Sequence, residues 1–175
     1  IWYPPGWIGI LIHAPYGYNL SFALHLLWGG LGMAFFLSRS GLKKTAAVFG
    51  GIAFAAMPKL FAHLALGHAS MVFAVAWFPW LLLAELNRIQ MRGTPKLSRY
   101  FPGIILGIIA LADIRSLAYA FFLYISFWLW SNCIENRLGI NKKSHLGNLR
   151  ALIGQIAFCL GIGAVQIIPL IQFTS

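Results

Sequence analysis

The sequence predicts an all-α, polytopic transmembrane helical bundle of about six membrane segments, two of them short and broken. The chain of 175 residues is 60% hydrophobic and only 9% charged, whereas soluble domains carry roughly 25% charged residues. Its basic residues are separated by long apolar runs. Eleven of the thirteen fall into three clusters, namely Arg39/Lys43/Lys44, Arg88/Arg92/Lys96/Arg99 and Arg137/Lys142/Lys143/Arg150.

This clustering of positive charge predicts the orientation of the chain. Lys and Arg concentrate in the cytoplasmic loops of multi-pass proteins, where anionic lipid favours them. We therefore expect the basic loops to be cytoplasmic and the helices to be surrounded by membrane lipids. The excess of Lys and Arg over Asp and Glu therefore does not indicate nucleic acid as a partner.

The first half of the chain contains three predicted segments. Residues 1–17 are rich in Pro, Gly and aromatics, which predicts an outer interfacial loop with an apolar turn near residues 8–12. Helical membrane segments then occupy 18–171, beginning with a span over 18–37. The next apolar run, 45–57, stops at Pro58 and is shorter than the about 20 residues that a crossing needs. The span 70–86 follows, with a kink predicted at Pro79.

The second half adds three more segments. Residues 101–132 are apolar except around 113–116, and one helix of that length would be about 48 Å long, too long for an untilted crossing. Two helices joined by a turn at 113–116 restore the charge alternation. The first of them, 101–112, is about 18 Å long, and a last span covers 149–171. We interpret 1–175 as a single transmembrane domain and, since it opens on Ile1 without an initiator Met, as a fragment of a longer chain.

Polar residues follow the two short rising segments. Charges at membrane depth are tolerated where they line a watery cavity or are buried in protein. The pattern therefore predicts a polar cavity that opens toward the outer leaflet. Its candidate residues are Lys59, His63, His68, Asp113, Arg115 and Ser116.

The charged candidates each have a functional and a structural interpretation. Asp113 is the only carboxylate on the predicted outer side, so it is the candidate catalytic base, but an ion pair with Arg115 or a helix cap explains it equally. Arg115 and Lys59 are candidate ligands for the phosphate of a lipid-linked substrate. The alternative for both cations is snorkelling to lipid headgroups.

The histidines are expected to form hydrogen bonds rather than a metal site. His63 and His68 lie five residues apart, whereas metal-binding pairs on a helix favour a spacing of four. We expect them to bind substrate or loop carbonyls, and we expect no cofactor and no metal, although a divalent cation is conceivable. His25, inside the first span, is expected to make an interhelical hydrogen bond.

Small residues and cysteines are given structural roles. Gly29, Gly30 and Gly32 lie in a predicted membrane helix, where glycines indicate close packing of helices rather than a nucleotide loop. Cys133 and Cys159 are expected to be free, buried thiols.

Four stretches stand in order along the chain: Trp2-Tyr3-Pro4-Pro5, His25-Leu-Leu-Trp-Gly-Gly-Leu-Gly-Met-Ala, Leu66-Gly-His-Ala-Ser through Ala76-Trp-Phe-Pro-Trp-Leu, and Ala164-Val-Gln-Ile-Ile-Pro-Leu. Together they resemble the YfhO-like branch of the GT-C membrane glycosyltransferases. The resemblance implies a GT-C-like enzyme of the bacterial inner membrane that takes a sugar from a polyprenyl-phosphate donor on the outer face and inverts the anomeric centre. In that family the base is an Asp or Glu of the first outer loop, which would precede Ile1.

Two other functions fit the same residues. One is a non-catalytic integral subunit of a larger membrane complex, which is compatible with only three acidic residues. The other is a lipid or glycan transporter, for which the two short segments would be broken helices. A transporter of this kind is typically built from inverted repeats, and the sequence has no visible internal symmetry. Aromatics near the predicted cavity mouth, Trp2, Tyr3 and Trp7, are candidates for stacking on sugar or prenyl groups.

Overall fold

In the computed structural model the described residues, 3–90, 96–137 and 145–174, fold into helices joined by short connections. Two 3₁₀ turns, Pro4–Trp7 and Lys96–Tyr100, accompany the α-helices. The all-helical prediction is confirmed. Trp2, Arg92, Lys142 and Lys143 lie outside the described residues. The α-helices are α1 (Ile8–Leu11), α2 (Tyr16–Arg39), α3 (Lys44–Ala55), α4 (Pro58–Ala65), α5 (Ala69–Val75), α6 (Phe78–Gln90), α7 (Phe101–Ala112), α8 (Ile114–Arg137) and α9 (His145–Thr174).

Four segments within the described residues are long and apolar enough to cross a membrane. They are Tyr16–Arg39, Lys44–Ala65, Ala69–Gln90 and Leu149–Pro169. Large apolar side chains point away from the protein on these segments, for example Leu27, Phe49 and Ile153. Exposing such a large apolar surface to water is unfavourable, whereas lipid tails solvate it. The chain therefore has the surface of an integral membrane protein.

Proline positions explain two helix interruptions. Pro58 is the first residue of α4 and Pro79 the second residue of α6, positions where the missing N–H costs no helical hydrogen bond. The sequence predicts the interruption at Pro58, but α4 extends the run to the 22-residue segment Lys44–Ala65. This corrects the expectation that the segment stops short of a crossing. The kink predicted at Pro79 takes the form of a break, because α5 ends at Val75 and α6 begins at Phe78, one residue before the proline.

Helix α7 lies at the centre of the bundle. Its residues Leu106 and Ile109 are fully buried, and they share one core with α5, α6, α8 and α9. Gly103 lets the backbone of Gln155 on α9 approach closely, and Gly107 does the same for the side chain of Ile162. The helix ends at Ala112, where the sequence predicts the turn, and Asp113 is extended.

Helices α2 and α3 cross at glycines, as the sequence predicts. A β-carbon on Gly30 would lie 3.0 Å from the carbonyl oxygen of Gly51, so the two backbones meet without side chains between them. Both cysteines are free, and Cys159 is buried. Cys133 is exposed, which corrects the expectation of burial for that thiol.

The bundle has two chemically different ends. The guanidinium Nε of Arg39, at the end of α2, donates to Asn87 Oδ1 near the end of α6 at 3.1 Å. We call this the basic end, because exposed Lys43, Lys44 and Arg99 adjoin the same helix termini. The opposite end holds the α4–α5 connection and the α7–α8 turn. Residues close to each of them, His63 and Ser116, line one cavity.

Candidate functional site

A cavity of about 540 Å³ lies between α4, α5 and α8 at the end opposite the basic end. Three of the six polar residues predicted for a cavity line it: Lys59, His63 and Ser116. The rest of its wall is mainly apolar, formed by Met57, Leu60, Met71, Val72, Val75, Phe78 and Tyr119. A cavity with apolar walls and a few polar groups suits an amphiphilic ligand.

Helix α4 presents the cation and the imidazole together. Lys59 and His63 are four residues apart and therefore share one face of the helix. Lys59 is exposed and His63 is half-buried. Among the described residues, no carboxylate lies within ion-pair distance of Lys59, so its charge is available to an anion.

The α7–α8 turn holds Asp113 through both carboxylate oxygens. Arg115 Nε donates to Oδ1 at 3.1 Å, and Ser116 Oγ donates to Oδ2 at 2.7 Å. The carboxylate, 7% exposed, also lies at the N-terminus of α8, where the helix dipole favours negative charge. The predicted ion pair with Arg115 is therefore present, whereas Oδ2 accepts from the Ser116 hydroxyl rather than capping a backbone N–H of α8. Whether it also acts on a substrate stays a prediction.

Arg115 and Ser116 extend from this anchored turn in different directions. The Arg115 side chain is 69% exposed, so its charge reaches solvent or lipid headgroups while Nε holds Asp113. Ser116 is buried, lines the cavity and is fixed by its hydrogen bond to the carboxylate. The turn can thus present a cation near the cavity and a fixed hydroxyl within it.

The two histidines expected to bind substrate or loop carbonyls bind each other. His63 Nδ1 and His68 Nδ1 are 3.3 Å apart. Their spacing of five differs from that of metal-binding pairs on a helix, and α4 ends between the two residues. Across the described residues, no group of three or more His, Cys, Asp or Glu side chains could hold a metal ion.

A second polar group, missed by sequence reasoning, joins the N-terminal segment to two helices. Trp77 Nε1 donates to Tyr3 Oη at 2.7 Å, and Tyr3 Oη bonds His25 Nε2 at 2.8 Å. His25 Nδ1 must be the donor to the Ser21 carbonyl at 2.6 Å, so Nε2 accepts the Tyr3 proton. Burial raises the pKa of the Tyr3 hydroxyl to about 12.

This chain of bonds changes two expectations. The partner of His25 is found, but it is Tyr3 of the N-terminal segment rather than a residue of another membrane helix. Tyr3 is buried and engaged, which corrects its assignment as an open stacking platform, while Trp7 is half exposed. Beside the bonded chain lies a groove of about 340 Å³ with apolar walls from α2.

The basic end contains the third polar group, also missed. Glu85, fully buried, accepts two bonds from Arg88, from Nε at 2.8 Å and from Nη2 at 2.6 Å. Tyr124 Oη contacts both Glu85 Oε2 and Gln155 Oε1, and Gln155 Nε2 donates to the carbonyl of Arg99 at 2.7 Å. An acid within the predicted span 70–86 was the available signal, because such a group must find a partner.

No family model, curated protein or solved structure matches this chain.

Proposed function

We propose that this chain belongs to a GT-C-like membrane glycosyltransferase of the YfhO-like kind, which uses a polyprenyl-phosphate-linked sugar donor on the outer face of a bacterial inner membrane. The observation that carries the proposal is the cavity with Lys59 at one side and an apolar wall at the other. A polyprenyl phosphate has the matching chemistry, an anionic head on a long apolar chain.

The position of the cavity supports the outer face. Arg39, Lys43, Lys44 and Arg99 adjoin the end of the bundle that we call basic, and the cavity is at the other end. By the positive-inside rule the basic end is cytoplasmic, which orients the cavity outward. In this arrangement the membrane is crossed six times, by α2, α3 with α4, α5 with α6, α7, α8 and α9.

In this proposal the donor phosphate lies against Lys59 and accepts a hydrogen bond from His63. The prenyl chain runs along Met71, Val72 and Val75 toward the lipid. Arg115, next to the cavity-lining Ser116 in the chain, adds positive charge at this end of the bundle, where a planar guanidinium suits phosphate oxygens.

Asp113 serves here as a positioning residue as well as the candidate base within this chain. Its two oxygens each accept one hydrogen bond, from Arg115 and from Ser116, and each keeps a second acceptor site for a substrate proton. The family resemblance assigns the main base to an acidic residue of a preceding outer loop. The described residues therefore provide donor binding in this proposal, with Asp113 as the candidate base within this chain.

Binding of polyprenyl phosphate to the protein in lipid nanodiscs tests the proposal. Lys59→Gln should weaken binding about tenfold, because a hydrogen bond to a charged group contributes roughly 1.5 kcal/mol. Lys44→Gln, a matched change at the basic end, should leave the affinity unchanged. Equal affinity of wild type and Lys59→Gln, or equal binding of phosphate-free polyprenol, would contradict the proposal.

One observation favours a second candidate, a non-catalytic subunit of a larger membrane complex. The only carboxylate at the cavity end of the described residues is occupied by its neighbours, as in a structural turn. A purified protein that binds polyprenyl phosphate but transfers no sugar without added subunits would support this candidate over a self-sufficient enzyme.

A further inference from the structure

The end of helix α4 brings two histidines into contact through a specific backbone motif. The N–H of Gly67 bonds the carbonyl of Leu64 at 3.0 Å, and the N–H of His68 bonds the carbonyl of His63 at 2.9 Å. These two bonds define a Schellman motif, in which the third-last helical residue and the second residue beyond the cap lie side by side. Those two positions usually carry a hydrophobic contact, and here both carry histidine.

Gly67 fixes this geometry. Its φ of +77° lies in the left-handed region, which a residue with a β-carbon enters only at a cost. The backbone therefore brings the two histidine side chains next to each other within one short connection. His63 is half-buried at the cavity and His68 is exposed.

The spacing of the ring nitrogens matches a metal site. Two ligands on a tetrahedral ion with bonds of about 2.0 to 2.1 Å are separated by about 3.3 to 3.4 Å. His63 Nδ1 and His68 Nδ1 are 3.3 Å apart. We propose that His63 and His68 bind a zinc-like divalent transition-metal ion through their Nδ1 atoms, with the other coordination positions open to water or a ligand in the cavity.

The imidazole ligands limit which metal ions the site could bind. Neutral imidazole suits Zn²⁺, Co²⁺, Ni²⁺ and Cu²⁺, whereas Mg²⁺ and Ca²⁺ require oxygen ligands. The expectation of no metal was based on the helical spacing of four and on the lack of a nearby Cys, Glu or Asp. The Schellman motif removes the first ground, because it makes residues five apart neighbours, and water or a cavity ligand would complete the coordination. The site is independent of sugar transfer, since it needs only the α4–α5 connection.

A direct hydrogen bond between the two rings explains the same distance without any metal. The test must therefore distinguish this hydrogen bond from a shared metal ion. We would titrate the tag-free protein in detergent with Co²⁺ and follow visible absorption, then displace Co²⁺ with Zn²⁺. The site predicts one equivalent of Co²⁺ with the intense absorption of tetrahedral coordination, displaced by Zn²⁺ and not by Mg²⁺.

Three variants decide which residues bind. His63→Ala and His68→Ala should each lower the Co²⁺ affinity at least tenfold. Gly67→Ala should also lower it, because alanine would be strained at the left-handed φ of this position. His13→Ala, an exposed histidine of the N-terminal segment, should bind like wild type. Circular dichroism and elution volume confirm that each variant is folded. Absence of saturable binding in folded wild type, or wild-type affinity in folded His63→Ala or His68→Ala, would overturn the site.

Discussion

The two ends of this bundle differ in how completely their polar side chains are paired by hydrogen bonds and ion pairs within the same end. The buried network at the basic end joins Glu85, Arg88, Tyr124 and Gln155, and each bonds another member of the set. The open site at the other end consists of Lys59, His63, His68, Asp113, Arg115 and Ser116. There, Lys59 has no carboxylate partner among the described residues, and a cavity adjoins it.

The comparison separates groups that hold the fold from groups that can hold a ligand. A buried charge must be paired, and removing its partner is costly, so a closed network has little freedom to bind anything else. An exposed charge costs little to leave unpaired because solvent or headgroups screen it. Substitutions in the buried network should therefore change stability, and substitutions in the open site should change binding more than stability.

The largest effect is expected at Glu85. Glu85→Gln removes the carboxylate that binds Arg88 twice, while the Arg88 side chain remains only 11% exposed. Loss of one partner of a buried pair costs about 3 to 5 kcal/mol. We expect a fall of that size in the free energy of unfolding in detergent. Tyr124→Phe, which keeps the ion pair, should cost only about 1 kcal/mol. Equal losses for both variants would show that the ion pair is not what stabilises this end.

An intermediate effect on stability is expected from the ionisation of Tyr3. This residue belongs to the hydrogen-bonded group with Trp77 and His25, which is separate from the network at the basic end. Its pKa is about 12 in the folded protein and 10.0 when exposed, so the folded state holds the proton more tightly. The contribution is complete below pH 10 and is lost as pH rises through 12, about 2 to 3 kcal/mol in all. Stability of wild type should fall more steeply over this window than that of Tyr3→Phe. Parallel curves for the two proteins would contradict the assigned role.

Sequence patterns predicted the features that depend on neighbours in the chain. Apolar runs indicated the helices, Pro58 indicated the start of α4, and Asp113 indicated the α7–α8 turn. The candidate residues at the cavity also followed from that reasoning, because a polar residue after a short apolar run must be accommodated. These inferences require only local chemistry and the thickness of the membrane.

Contacts between distant parts of the chain could not be predicted in the same way. Tyr3 meets Trp77, 74 residues later, and Tyr124 meets Gln155, 31 residues later, so both contacts depend on how helices pack. The contact of His63 with His68 is different, since Gly67 gave a usable local signal. A glycine one position before His68 favours a left-handed helix end, and that end makes residues five apart neighbours.

The smallest effect on stability is expected at Asp113, where the comparison is sharpest. Asp113→Asn weakens a pair whose arginine is 69% exposed, and an exposed pair contributes roughly 0.2 to 1 kcal/mol. The amide oxygen can still accept the Ser116 hydroxyl, so the turn should keep its shape and the folded yield should fall little. If the proposed function holds, glycosyl transfer should fall more than folded yield, because both the candidate base and the anchor of Arg115 are lost. Fluorescence-detected gel filtration measures the yield, and sugar transfer from a polyprenyl-phosphate donor measures activity. Equal losses of both would place Asp113 with Glu85, as a residue that holds the fold.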